Sequence, residues 1–280
     1  MKNTDFWIRD PFILLEGDKY YLYGTTRHRE KAGFDAYVSS DLENWEGPIP
    51  IFEYKEGFWG KMHYWAPEVH KYNGAYYMFA TFKDDGKWHG CQILKADNPL
   101  GPFLPHSEGP ITPKEWSSLD GTFYVSRDGV PYMIFCHEWI QISNGEMCYA
   151  RLSDDLTHFV TEPRTMFRAG DFPEVIRAGH MGNFVTDGPF MYRSKNGDLL
   201  MLWSSVGERG YLECVMRSDN GEIDGKFELV DLLFEEDGGH GMLFYDKEGR
   251  LRFSLHHPNR VNEHLELFDI DDVGGSLKRK

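Results

Sequence analysis

Short apolar runs separated by polar, glycine-bearing turns recur along the whole chain. Five times, a turn-like opening leads into two such runs joined by a tight turn: "RDPFILLEGDKYYLYGTT", "WAPEVHKYNGAYYMFATF", "LDGTFYVSRDGVPYMIFCHEW", "TDGPFMYRSKNGDLLMLWSS" and "GGHGMLFYDKEGRLRFSLHH". The runs are rich in aromatic and β-branched residues, which suits pleated strands. The turns between them, EGDK, YNGA, RDGV, KNGD and KEGR, are hairpin chemistry in which glycine supplies a positive φ. With Asp10, Ala66, Asp120, Asp187 and His240 as leading positions, successive copies lie 56, 54, 67 and 53 residues apart. A second marker, Asp41, Asp97, Asp154 and Asp219, follows the first four copies by 31, 31, 34 and 32 residues.

Units of this length with about four short strands each predict the blades of a β-propeller. Five blades, starting near 10, 66, 120, 187 and 240, account for residues 1–280 as a single all-β domain. Helices have no obvious place. The fifth copy ends in "EHLELFDIDD" without the second marker, so its outer edge is expected to be short or differently closed. The long third interval is assigned to residues 163–184, read as a loop over one face.

Composition narrows the reading. Length alone allows two average domains or one large all-β domain, and 43 aromatic residues in 280 favour the second. No stretch of 20 apolar residues is present, so no membrane span is expected. The opening "MKNTDFWIRD" has no apolar signal region, and the chain reads as cytoplasmic. Cys91, Cys136, Cys148 and Cys214 are widely spaced with no C-x-x-C pair, as buried free thiols would be. A net charge of −15 with no basic run before the final "KRK" argues against a nucleic-acid partner and is compatible with a neutral ligand.

In a propeller the first strand of each blade lines the axis and the second runs back beside it. The openings of the first strands therefore converge at one mouth: Asp10, the Ala66-Pro67-Glu68 corner, Asp120, Asp187 and His240. The ends of the second strands, Thr25, Phe82, Glu138, Ser204 and His256, are expected in a ring just outside. Each Asp taken alone is an ordinary turn former. Gathered in one pocket, carboxylates repel and shift one another's pKa, a cost usually tolerated at functional sites. Aromatics near the same mouth, Trp65 and Trp139 above all, suit stacking on the apolar face of a sugar ring. The expected substrate-binding set is Arg9, His63, Trp65, Glu68, Phe82 and Trp139.

The "RDPF" opening, "WAPEV" corner, "LDGTF" and "TDGPF" turns and the late "GGHGM", in this order and spacing, resemble glycoside hydrolase family 43 over essentially the whole chain. That resemblance implies a five-bladed propeller with a pocket or cleft at one end of its axis. It implies action on plant-type polysaccharides rich in arabinose or xylose, with inversion at the anomeric carbon. It places the general base on Asp10 and the carboxylate that orients the acid on Asp120. The family's general acid, a Glu in an E-G-P turn, falls on Asp187, one methylene shorter. Glu138 in "CHEWIQ" is the other candidate for the acid. The axial histidine, associated in the family with a bound calcium ion or its waters, falls on His240.

The expected function is removal of a terminal α-L-arabinofuranose or β-D-xylose from an oligosaccharide partner. A galactosidase or galactofuranosidase of the same fold, or a carbohydrate-binding propeller without catalysis, are the alternatives.

Overall fold

The computed structural model describes residues 1–27, 31–178 and 182–280. Five four-stranded antiparallel sheets follow one another along the chain, each in sequential strand order. Blade 1 is β1 (Arg9–Glu16), β2 (Lys19–Thr25), β3 (Gly33–Ser39) and β4 (Trp45–Glu53). Blade 2 is β5 (Met62–Tyr72), β6 (Ala75–Lys83), β7 (Gly90–Ala96) and β8 (Leu104–Pro105). Blade 3 holds β9 (Ser118–Val125), β10 (Pro131–His137), β11 (Glu146–Arg151) and β12 (Arg164–Arg168), with a four-residue helix α1 (Trp139–Ile142) before β11. Blade 4 is β13 (Asp187–Arg193), β14 (Leu199–Gly207), β15 (Gly210–Ser218) and β16 (Phe227–Phe234). Blade 5 is β17 (Gly239–Tyr245), β18 (Leu251–His257), β19 (His264–Asp272) and β20 (Leu277–Arg279). The first strands close a ring: β1 packs on β5 and β17, β9 on β5 and β13, and β13 on β17.

The five-bladed all-β reading is therefore correct. The short outer edge expected of blade 5 is the three-residue β20, and blade 2 has a still shorter one in β8. The "YNGA" turn has positive φ at both Asn73 and Gly74, the geometry of a two-residue hairpin. Residues 163–184 are a loop only in part. Their first third forms β12, the outer strand of blade 3, and Phe184 returns to pair with Asn144; residues 179–181 of the segment lie outside the described residues.

Apolar clusters fill the wedges between blades. Blades 1, 2 and 5 share one around Phe34, Val69, Met78 and Phe244. Blades 2 and 3 enclose Phe79, Ile93 and Phe135, blades 3 and 4 enclose Ile134, Met201 and Trp203, and blades 4 and 5 enclose Leu202, Val215 and Phe253. All four cysteines are buried free thiols, as expected. Among the described residues no helix is long and apolar enough to cross a membrane.

A bulge opens every first strand, with two residues facing one on the second strand. Arg9 pairs with Thr25 and Phe12 with Tyr23; the same skip falls after Trp65, Leu119, Asp187 and Gly239. The first residue of each bulge has a positive φ: Asp10, Ala66, Asp120, Gly188 and His240. This corrects the register of the fourth copy, where the counterpart of Asp10 and Asp120 is Gly188 and Asp187 stands one residue nearer the opening.

The bulges also receive the joints between blades. Thr25 Oγ1 accepts from the Ala66 amide (2.8 Å), Thr81 Oγ1 from the Asp120 amide (2.9 Å) and Ser204 Oγ from the His240 amide (2.6 Å). His256 Nδ1 closes the ring by accepting from the Asp10 amide at 3.2 Å. Between blades 3 and 4 the pattern changes, and the Asp120 carboxylate itself accepts from the Gly188 amide at 3.1 Å.

Candidate active site

The bulges bring Asp10, Asp120 and His240 to the axis, and Asp187 joins them from its offset position. Together with Trp7, Arg9, His63, Trp65 and Tyr211 they line a cleft of about 650 Å³. His240 is the hub. Its Nδ1 lies 3.1 Å from Asp10 Oδ1 and 3.8 Å from Asp120 Oδ2. The other Asp10 oxygen accepts from Thr25 Oγ1 at 2.6 Å, and Arg9 Nε stands 3.9 Å from Asp10 Oδ1.

Gly188 explains the glycine of the "TDGPF" turn. Its φ is +51°, and a Cβ there would sit 2.7 Å from the His240 ring carbons Cγ and Cδ2. The backbone of blade 4 is thus pressed against the imidazole, and only glycine fits.

The charges divide by environment. Burial disfavours a charged His240, but Asp10, Asp120 and Asp187 outweigh it and push the imidazole up to about 10. His240 is a buried imidazolium at neutral pH. Burial would also raise Asp10, yet His240 and Arg9 hold its carboxyl well below the usual carboxylate range. Asp120 and Asp187 are both pushed up, first by burial and then by neighbouring carboxylates, against the pull of His240. They titrate as a pair that retains a proton where an ordinary carboxylate has lost it. The cleft thus holds one carboxylate that stays ionised and a pair that stays partly protonated, the separation that acid–base chemistry requires. His256 is pushed down to about 3, by burial first and then by Arg9, so it is neutral and its Nδ1 is free to accept from the Asp10 amide.

Other expected residues are placed elsewhere. Phe82 is fully buried and packs edge-on against Phe34, Phe52, Phe58 and Tyr64 in the core, not at the cleft. Glu68 is buried and bonded to His70 at 2.9 Å. Trp139 opens α1 and does not line the cleft. Glu138 is buried outside the Asp cluster, bonded to His89 Nδ1 at 2.8 Å and to the Ser117 hydroxyl. Burial works against its ionised form, but the bonds from His89 and Ser117 win and lower its pKa. Trp65, His63 and Arg9 are at the cleft as expected.

The expected outer ring needs the same revision in two blades. Thr25, Ser204 and His256 do pair with the residues before the bulges, but in blades 2 and 3 those positions belong to Thr81 and Cys136 rather than Phe82 and Glu138.

Sequence reasoning missed two residues. Tyr211, the second residue of β15, donates its hydroxyl to Asp187 Oδ2 at 3.0 Å. The signal was available, since the "GERG" hairpin that joins β14 to β15 must lie at the same mouth as the end of β14. Glu213, two residues on, is fully buried and accepts from Ser204 Oγ (2.7 Å) and the Gly241 amide (3.0 Å), so it braces the His240 bulge from behind. Burial pushes it up to about 8 despite those bonds.

Calcium takes six to eight oxygen ligands. Around His240 the side chains offer a protonated ring whose Nδ1 is already given to Asp10, and no group of three or more His, Cys, Asp or Glu among the described residues is arranged to hold a metal ion. This donor set does not fit a protein-built calcium cage.

Residues 5–268 match the glycosyl hydrolases family 43. An endo-arabinase crystal structure from Bacteroides thetaiotaomicron VPI-5482 superposes with a TM-score of 0.93 at 37% identity, covering 99% of this chain and 98% of that one. An extracellular exo-alpha-(1→5)-L-arabinofuranosidase of Cellvibrio japonicus (strain Ueda107) is 25% identical over 71% of this chain, which spans 59% of that protein's length. A xylosidase/arabinosidase of Bacteroides ovatus is 25% identical over 73% of this chain and 75% of its own.

Proposed function

The chain belongs to glycosyl hydrolases family 43, and from that premise we propose that it hydrolyses pentosyl linkages of plant-type oligosaccharides with inversion, releasing terminal α-L-arabinofuranose first and β-D-xylose second. One observation carries the reading: Asp10, held ionised by His240, shares a cleft with the Asp120–Asp187 pair, held partly protonated. An inverting hydrolase uses those two states, a base that activates water and an acid that protonates the leaving oxygen, with room for the water between them. Arabinan-cleaving names among the relatives favour arabinose, and a cleft of about 650 Å³ suits a short oligosaccharide end.

In this mechanism Asp10 takes a proton from the water as its oxygen bonds to the anomeric carbon. Asp187 gives its proton to the glycosidic oxygen as the carbon–oxygen bond breaks. Tyr211 already donates to Asp187 Oδ2, so the transferable proton sits on Oδ1, and the same hydroxyl stabilises the carboxylate left behind. Asp120 shares the pair's proton with Asp187, and its bond to the Gly188 amide fixes the backbone beside the acid. Asp187 does this where the family pattern has a Glu, and Glu138, tied to His89 and Ser117, supports the site without donating.

The test is a panel of aryl α-L-arabinofuranosides, β-D-xylosides and galactosides, with the anomer of the first product read by proton NMR. Asp10→Asn is expected to lower kcat at least about 10³-fold while arabino-oligosaccharide binding persists. An unaffected rate in that variant, or retention of configuration, overturns the mechanism. Binding without any turnover in the unmodified protein favours the non-catalytic reading instead.

A further inference from the structure

Behind one wall of the cleft, three ionisable side chains are strung in a line that the catalytic steps do not use. Glu138 is buried at the end of β10, and its Oε2 accepts from the Ser117 hydroxyl and lies 2.8 Å from His89 Nδ1. His89 is also buried, and its other nitrogen, Nε2, lies 2.7 Å from His63 Nδ1. His63 lines the cleft, and its Nε2 makes no hydrogen bond to a described residue. The two imidazoles lie end to end, with centroids 5.0 Å apart and planes 27° apart. Both stack on the Trp65 indole, at 4.3 Å and 4.8 Å.

A line of this kind has a direction. An ionised carboxylate only accepts, so His89 must present Nδ1–H to Glu138. A neutral His89 then carries its lone pair on Nε2, which obliges His63 to present Nδ1–H. A neutral His63 is left with its lone pair on Nε2, at the cleft. The environment agrees with a neutral His63, since burial lowers its pKa.

We propose that Glu138, His89 and His63 form a one-way hydrogen-bond relay that presents His63 Nε2 to the cleft as an acceptor for a substrate hydroxyl and, through the stacked imidazole pair, fixes Trp65 as the sugar platform. Glu138 and His89 are positioning residues, and His63 is the specificity-determining contact. The buried carboxylate is what distinguishes this from plain packing: without it, His63 offers a donor or an acceptor with no bias. The substrate contact rests on the glycosidase reading, whereas the tautomers do not.

The first test therefore uses no substrate. Long-range proton–nitrogen NMR of histidine-labelled protein at neutral pH is expected to show His89 and His63 protonated at Nδ1 and bare at Nε2. A proton on His63 Nε2 overturns the relay whatever the enzyme hydrolyses. In Glu138→Gln the amide oxygen still accepts from His89, so the same tautomers are expected; in Glu138→Leu the His63 signal should divide between the two forms. The second test measures calorimetric binding of α-1,5-arabinobiose to the Asp10→Asn protein. Adding His63→Phe, which keeps a ring against Trp65, is expected to weaken binding about 3–10-fold, the worth of one lost hydrogen bond. Unchanged binding there removes His63 as the contact. No binding in the parent protein, with the tautomers as expected, refutes the arabinose reading and leaves the relay standing.

Discussion

Replacing Tyr211 by phenylalanine removes one hydroxyl and leaves the ring, which stacks near His256 at 5.6 Å. That hydroxyl donates to Asp187 Oδ2 at 3.0 Å in a buried setting, where a hydrogen bond to a charged acceptor is worth about 1.5–3 kcal/mol. The bond favours the ionised carboxylate and so holds the Asp187 pKa down. Its loss raises that pKa by about 1–2 units, since one unit is about 1.4 kcal/mol. The protonated acid then persists to higher pH, so the descending, alkaline limb of kcat/KM against pH moves up by about 1–2 units. The acidic limb, set by Asp10, stays in place. At the plateau kcat falls, because Asp187 is a weaker acid and its carboxylate has lost a stabilising donor. The assay is a pH–rate profile on an unactivated arabino-oligosaccharide, with circular dichroism to check the fold. An alkaline limb that stays put or moves to lower pH refutes Asp187 as the proton donor tuned by Tyr211.

Four other substitutions discriminate between parts of the site. Asp187→Ala should lose far less rate on an aryl glycoside with a good leaving group than on a natural linkage, while Glu138→Ala should lose a similar factor on both; the reverse pattern makes Glu138 the acid. Gly188→Ala forces a Cβ into His240 at a φ of +51°, and urea unfolding should show a loss of about 2–4 kcal/mol with activity reduced at least about 100-fold. Wild-type stability in that variant would mean the His240 contact is loose. Glu213 binds its proton up to about 8 when folded but only to about 4.5 when unfolded, so between those pH values the unfolded state has fewer protons and stability falls as pH rises. Glu213→Gln removes this dependence, and its stability relative to wild type should improve by roughly 3 kcal/mol from pH 5 to pH 8. A constant difference across that range shows that Glu213 is ionised in the folded protein.

The fold was legible because hairpin turns and apolar runs are local signals, and their repetition fixes the blade count without any long-range information. The axial residues were legible for the same reason: Asp10, Asp120 and His240 each open a first strand. The fourth copy was misaligned by one residue because "LDGT" and "TDGP" look equivalent as letters, whereas the bulge aligns them by the residue with positive φ. Phe82 and Glu138 illustrate the stricter limit. In a strand a shift of one residue turns a side chain to the other face, so knowing which end of β6 reaches the mouth did not reveal whether Thr81 or Phe82 faces the axis, while in blade 3 Glu138 lies just past the end of β10, two residues beyond Cys136. Tyr211 and Glu213 belong to a third strand, whose relation to the axis depends on blade twist.

The joint between His256 and the Asp10 amide gives the ring a seam that runs through the proposed base. A blade pair that parts there withdraws the amide, and with it the Asp10 carboxylate, from the His240 and Thr25 partners that keep it charged and aimed. Catalytic competence thus becomes a gauge of ring closure: heat or denaturant that loosens this one seam silences the enzyme while four blade junctions and nearly all the strand pairing still stand. Amide exchange at Asp10 should then track inactivation more closely than exchange at any residue of the blade interiors.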